Sequence, residues 1–272
     1  MTLVILDTIK ATILGIVEGF TEFLPISSTG HLILVNQWIS FSKDFTLMFD
    51  IVIQLGAILA VVVYFWKRLW PFTKDQNKNR ETLNIWYKTL VGVLPAIILG
   101  ALFGGIIEEK LFNPWTVAIT LLAGGLIILY VEKKYKKRPE GHITSIANLS
   151  YKTALLIGLV QCLSMIPGTS RSGATIIGAM IFGASRVVAT EFSFFLAVPT
   201  MLAASAYSLL KYKALLDNNQ IIILAIGFVV SFIVALAIIK FLISYVQRNN
   251  FKIFGYYRIV LGIIIIAYFL IK

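Results

Sequence analysis

Six stretches of the chain carry apolar residues almost without interruption for about twenty positions, near 45 to 66, 86 to 107, 114 to 131, 188 to 210, 220 to 245 and 254 to 271. As a helix, each reaches across the roughly 30 Å of hydrocarbon in a bilayer, so the pattern predicts six membrane-spanning helices. Two further stretches, near 8 to 39 and 152 to 183, break the pattern: each is a helical run, then a proline among small polar residues, then a second run. The second arm of the first, from Ser28 to Ile39, rises only about 18 Å as a helix, too little to span. Each stretch therefore reads as a re-entrant pair of short helices that enters and leaves on one side. Irregular backbone at that depth is tolerated only when buried in protein or lining a wet cavity.

The two interrupted stretches resemble one another. GIVEGFTEFLPISSTG, from Gly15, lines up with GLVQCLSMIPGTSRSG, from Gly158, pairing Gly15 with Gly158 and Glu18 with Gln161; after a one-residue gap Pro25 falls on Pro167 and Ser28 on Ser170. Three apolar runs follow each copy. The expected organisation is a first repeat over 1–131, a basic linker over 132–150, and a second repeat over 151–272. A re-entrant pair plus three crossings is an odd count, so the second repeat starts on the opposite face and the repeats are inverted, as in many transporters. If each interrupted stretch were instead one broken helix that spans, the repeats would be parallel. The predicted fold class is an all-α polytopic membrane protein with an inverted repeat, six transmembrane helices and two re-entrant pairs.

Composition agrees with this reading. Hydrophobic residues make up 58% of the 272 positions and charged residues 14%, with a mean hydropathy of +0.88, outside the range of soluble domains. The net charge of +11 is gathered in short loops, Lys67, Arg68, Lys74, Lys78 and Arg80 in one, and Lys133, Lys134, Lys136, Lys137 and Arg138 in another. Such loops are expected in the cytoplasm, in contact with anionic membrane lipids, and argue against a nucleic-acid partner. The single cysteine, Cys162, excludes an internal disulfide and a multi-cysteine metal site. MTLVILDTIK lacks a basic region ahead of its apolar residues, so no removable signal peptide is expected. Homodimerisation is left open.

Polar residues concentrate where the apolar pattern breaks. Glu18 and Glu22, four apart, share one helix face, and two like charges so placed keep a proton or recruit a cation. In the following Pro25-Ile-Ser-Ser-Thr-Gly-His31, either Ser27 or Ser28 is an N-cap, and the free N–H groups there suit an anion. Ser28 and His31, three apart, are placed to meet beside the carboxylates as nucleophile and base, with Thr29 between them. In the second copy, Pro167-Gly-Thr-Ser-Arg-Ser-Gly-Ala-Thr175, Gly168 frees the backbone and hydroxyls surround Arg171, whose planar fork matches phosphate oxygens. No Gly-Lys-Ser/Thr ends the segment, so it is not a P-loop. Together the two tips suit a phosphorylated, lipid-like substrate. Asp50 and Gln54, one turn apart on the next helix, either line the site or make an interhelical hydrogen bond.

EGFTEFLPISSTGH and PGTSRSGAT resemble the two signature motifs of the undecaprenyl-diphosphate phosphatase, or bacitracin-resistance, family, and the resemblance extends over essentially the whole chain. It implies a bacterial plasma-membrane enzyme that removes the terminal phosphate of undecaprenyl diphosphate, a polyprenyl diphosphate lipid, and so recycles the carrier lipid of cell-wall synthesis. It also implies dependence on a divalent cation, magnesium or calcium, and an active site facing outward. Glu18, Glu22, Ser28, His31 and Arg171 take the catalytic positions, with Glu18 and Glu22 also candidate metal ligands. Ser27, Thr29, Gly168, Ser170, Ser172 and Thr175 are candidate substrate contacts. Ser28, His31 or an activated water remains the nucleophile. A transporter or flippase of the same architecture is the rival. A second membrane phosphatase family, with PSGH and SRxxxH motifs, needs another histidine, and His142 in the linker is the only one left.

Overall fold

The computed structural model describes residues 2–135, 142–211 and 216–271. Lys136, Lys137 and Arg138 of the second basic loop fall outside them. The described α-helices are α1 (Thr2–Thr21), α2 (Ser28–Val35), α3 (Lys43–Tyr64), α4 (Trp66–Leu69), α5 (Gln76–Leu111), α6 (Pro114–Tyr135), α7 (Tyr151–Gln161), α8 (Arg171–Ile181), α9 (Arg186–Lys211), α10 (Asn218–Val246) and α11 (Lys252–Ile271). Six of them, α3, α5, α6, α9, α10 and α11, are long and apolar enough to cross a membrane, so the chain is an all-α, multi-pass membrane protein. α1 matches them in length but carries Asp7, Lys10 and Glu18. α2, at eight residues, rises about 12 Å and cannot span.

Local chemistry sets the helix ends. Asp75 caps α5 by accepting from the Asn77 and Lys78 amides, and Asp217 and Gln220 form a reciprocal capping box at the start of α10. Between α3 and α5, α4 carries Lys67 and Arg68 beside Trp66 and Trp70, whose rings stack at 4.7 Å, while the Trp86 indole donates to the Leu69 carbonyl at 2.8 Å. Aromatic rings beside basic residues are the composition of a membrane interface. Residues 132–135 of the expected linker belong to the end of α6, where buried Glu132 pairs with Arg186 at 2.6 Å. The rest of the described linker is strapped down: Lys88 Nζ donates to the Ile146 and Ala147 carbonyls at 3.0 and 2.8 Å.

The two halves interlock by exchange. α1 packs on α10 and, reciprocally, α7 packs on α5; α3 packs on α10 and α9 on α5; α6 and α11 pack on each other. Gly15 and Gly158 serve the same purpose in these exchanged contacts. A Cβ on Gly15 would lie 2.8 Å from the Gly227 carbonyl oxygen of α10, and one on Gly158 would strike the backbone of Gly92 on α5. Lipid offers no hydrophobic drive for helices to associate, so close backbone approach at small residues supplies the packing.

Candidate active site

Both interrupted stretches end their break in the same way. Ser27 and Ser170 each adopt a positive φ, 74° and 68°, and each caps the helix that follows, accepting from the amide three residues on, Gly30 at 3.2 Å and Gly173 at 3.1 Å. Non-glycine residues in that region are uncommon and strained, and surrounding structure has to hold them there. This re-registers the repeat: Ser27 corresponds to Ser170, which sets Ser28 opposite Arg171 as the first residue of α2 and of α8. Pairing Ser28 with Ser170, as the proline alignment does, is off by one, because the second copy is one residue shorter before its proline and one longer after it.

The two helix starts converge on Glu22. Its Oε2 accepts from the Ser28 hydroxyl at 2.6 Å and its Oε1 from Arg171 Nη2 at 3.1 Å, with both charged side chains almost fully buried. Charge-assisted bonds of this kind are strong, and breaking one by deleting a partner leaves a buried charge exposed to low dielectric. Arg171 Nη1 donates to the Ser193 carbonyl of α9 at 2.8 Å, and Nε has no hydrogen-bond partner among the described residues. The guanidinium also lies over the Phe23 ring, 5.7 Å from its centroid, and Phe23 is itself wedged edge-on against Phe194 of α9.

Other predicted residues hold the tips together. Ser172 lies within donating distance of the Glu22 and Leu24 carbonyls, at 3.2 and 2.9 Å, crossing from one tip to the other. Since its single proton goes to a carbonyl, the Ser170 hydroxyl donates to Ser172 Oγ across 3.1 Å. Thr175 is fully buried and shares a 2.6 Å hydrogen bond with Ser193, the residue that steadies Arg171. Gly168 has φ 86° and sits so close to α6 that a Cβ would meet Val117 and Thr120. Thr29 is half-buried in the first turn of α2.

His31 differs from expectation. It does not meet Ser28; its Nδ1 lies 2.7 Å from the Ser27 carbonyl and its Nε2 2.7 Å from the Tyr257 hydroxyl. A carbonyl only accepts, so Nδ1 carries a proton, and in the neutral ring Nε2 then accepts from the Tyr257 hydroxyl. The physical reason is the cap: Ser27 closes the first turn and turns its carbonyl to the imidazole, while Ser28 is drawn backward to Glu22. Of the two readings for Asp50, the interhelical hydrogen bond is present, Asn36 Nδ2 donating to Oδ2 at 3.4 Å, while Oδ1 is without a partner among the described residues.

The carboxylates divide as candidate cation ligands. Both Glu22 oxygens are engaged, whereas both Glu18 oxygens are buried without a hydrogen-bond partner among the described residues, in the electrostatic neighbourhood of Glu22, Asp50 and Arg171. Among the described residues no three His, Cys, Asp or Glu side chains come close enough to ligate one ion. The set fits a hard cation that takes one carboxylate from the protein and the rest from phosphate and water, as Mg²⁺ commonly does.

Tyr257, which holds His31, Arg258 and Ser193 were not singled out from the sequence. Arg258 is 1% exposed on α11 and touches both tips; as a charge inside the last apolar run, it was legible by the rule applied to Arg171. Ser193, an ordinary polar residue on α9, carried no signal.

Fold and site together define a multi-pass helical membrane protein whose buried polar centre is assembled from two helix starts on interlocked halves. The chain belongs to the family described as bacitracin resistance protein BacA, whose model matches residues 11–264. It is 50% identical over 98% of its length to an undecaprenyl-diphosphatase of Lachnoclostridium phytofermentans, and 49% identical over 98% to one of Enterococcus faecalis; each match covers 98% of the relative. An undecaprenyl-diphosphatase of Lactobacillus delbrueckii subsp. bulgaricus is 52% identical, over 96% of this chain and 97% of that one.

Proposed function

We propose that this protein is an integral-membrane phosphatase that hydrolyses undecaprenyl diphosphate to undecaprenyl phosphate and inorganic phosphate, recycling the cell-wall carrier lipid and conferring bacitracin resistance. The observation that carries the mechanism is the bridging of Ser28 and Arg171 by Glu22. Arg171 offers its free Nε–H to a phosphate oxygen, and phosphate competes with Glu22 for the rest of the fork, so substrate arrival releases Glu22 toward Ser28. Glu22 then takes the Ser28 proton, Ser28 Oγ forms a bond to the terminal phosphorus, and the bond to the bridging oxygen breaks, releasing undecaprenyl phosphate. Glu22 gives that proton to the departing undecaprenyl phosphate; a water then bonds to the phosphoserine phosphorus as Glu22 takes its proton, the P–Oγ bond breaks with the proton passing back to Ser28 Oγ, and inorganic phosphate leaves. His31, with its ring fixed by Ser27 and Tyr257, presents no free nitrogen for attack and lines the site. Glu18 is the residue to hold a divalent cation, Mg²⁺ or Ca²⁺, which would neutralise charge on the phosphates.

The halves 1–131 and 151–272 are read as inverted repeats about the linker, on the support of the exchanged packing of α1 with α10 and α7 with α5. The basic loops then face the cytoplasm, the two re-entrant pairs enter from opposite faces, and the site where their tips meet is read as open to the outside. The same exchanged packing favours, as a second reading, that the protein also moves the lipid.

Phosphate release from undecaprenyl diphosphate by purified protein in detergent tests the reading. Wild type is expected to turn over and to stop with a chelator; full activity in Glu22→Gln and Arg171→Ala would overturn the site. Lipid movement in sealed vesicles without hydrolysis would favour transport instead.

A further inference from the structure

A buried arginine with no acid beside it calls for explanation. Arg258 is 1% exposed, and among the described residues no carboxylate lies within ion-pairing distance of it. Its guanidinium is satisfied entirely by backbone carbonyls. Nη1 donates to Thr169 at 2.9 Å and to Pro25 at 3.4 Å; Nη2 donates to Gly168 and to Thr120, each at 3.0 Å; Nε donates to Leu121 at 3.4 Å. Pro25 belongs to the break before α2, Gly168 and Thr169 to the break before α8, and Thr120 and Leu121 to α6. One planar group on α11 is therefore fastened to both tips and to a third helix.

The tips carry the two sides of the chemistry, Glu22 and Ser28 on one and Arg171 on the other, and their relative placement decides whether Glu22 can bridge them. A side chain with five N–H donors in a rigid fork can hold three backbones in register, which a lysine ammonium on a flexible stem cannot do. We propose that Arg258 is a positioning residue for the reaction: it fixes the separation of the two tips so that Ser28, Glu22 and Arg171 stay aligned. This rests on the catalytic reading given above. α6 is shaped to receive the group, since a Cβ on Gly124 would collide with the guanidinium. Gly124 thus offers a second way to displace Arg258, from a helix that carries none of the proposed catalytic residues.

The test measures kcat and KM for undecaprenyl diphosphate, together with the folded fraction and thermal midpoint in detergent, for Arg258→Lys, Gly124→Ala and the double variant. Misplacement of reacting groups by about 1 Å lowers rate by up to roughly a hundredfold, so each single variant should lose about ten- to a hundredfold in kcat per folded molecule with KM little changed. The double variant should be no slower than Arg258→Lys alone, because both changes act through one guanidinium. If Arg258→Lys does not fold, Gly124→Ala carries the measurement. Wild-type kcat per folded molecule in the variants, with losses that only track the folded fraction, would reduce Arg258 to a structural clamp and overturn the proposal. So would losses that multiply in the double variant. If Glu22→Gln and Arg171→Ala also retain activity, the site itself has failed; if those two are inactive and the Arg258 and Gly124 variants are not, only the positioning role has failed.

Discussion

Glu22 and Arg171 lie 149 residues apart in the chain, on opposite tips, and meet at 3.1 Å with little solvent on either side. The contact joins the two halves at the place where Ser28 also binds Glu22. Substituting Glu22 by Gln keeps the shape but replaces one of the two acceptor oxygens with an NH2 donor, and removes the base and the counter-ion. Turnover is expected to fall by at least roughly a hundredfold. The stranded Arg171 should also cost up to about 3–5 kcal/mol, the range for breaking a buried pair. Phosphate release and thermal midpoint in detergent read the two effects separately.

Adjacent serines should separate by phenotype. Ser27 caps α2 through Gly30, so Ser27→Ala is expected to lose about 1 kcal/mol of stability. Ser28 caps nothing but donates a charge-assisted hydrogen bond to buried Glu22, so Ser28→Ala should cost about 1.5–3 kcal/mol of stability and abolish phosphate release. Residual turnover of Ser28→Ala near wild type would point to water as the nucleophile.

Removing the Tyr257 hydroxyl leaves His31 Nε2 without its donor. Tyr257→Phe is expected to lower stability by about 0.5–1.5 kcal/mol, the net value of one hydrogen bond, and to slow turnover modestly. His31→Ala should slow it further, since it also frees the Ser27 carbonyl. Steady-state kinetics on the two variants and their combination would show whether they act as one unit.

Glu18, with both oxygens unpartnered, should govern metal dependence. Glu18→Gln is expected to raise the Mg²⁺ or Ca²⁺ concentration needed for half-maximal activity by roughly tenfold or more. Activity titrated with each ion after chelation is the measurement; an unchanged requirement would place the cation elsewhere.

Packing between halves gives a prediction remote from the chemistry. Gly158→Val places a branched side chain against the Gly92 backbone, where not even a methyl fits. A loss of about 1–3 kcal/mol or more is expected, read as a lower thermal midpoint in detergent.

Much of this molecule is legible along the chain because a bilayer imposes a simple rule: a run of apolar residues either spans or is buried. That rule locates α3, α5, α6, α9, α10 and α11, and it marks Glu18, Glu22 and Arg171 as residues that need a partner or a cavity. It also separates α2, too short to cross, from its neighbours. Arg258 obeys the same rule and was open to the same reading. The repeat is visible too, but its register is not, since a deletion before the proline and an insertion after it cancel; only the positive-φ caps at Ser27 and Ser170 reveal the correspondence.

Tertiary structure alone decided the partners. Nothing in spacing tells Arg171 to choose Glu22 over Glu18 or Asp50, because the break after α1 and the start of α8 meet only where both lie against α9, Phe23 on Phe194 and Arg171 on Ser193. Nor does spacing say that Ser28 turns to a carboxylate six residues back, while His31, three ahead, turns to a carbonyl and a tyrosine 226 residues away. Polarity read along the chain shows which residues are too polar to lie in lipid. Which of them meet was left to a fold in which each buried charge and hydroxyl takes the partner that geometry brings within hydrogen-bond reach.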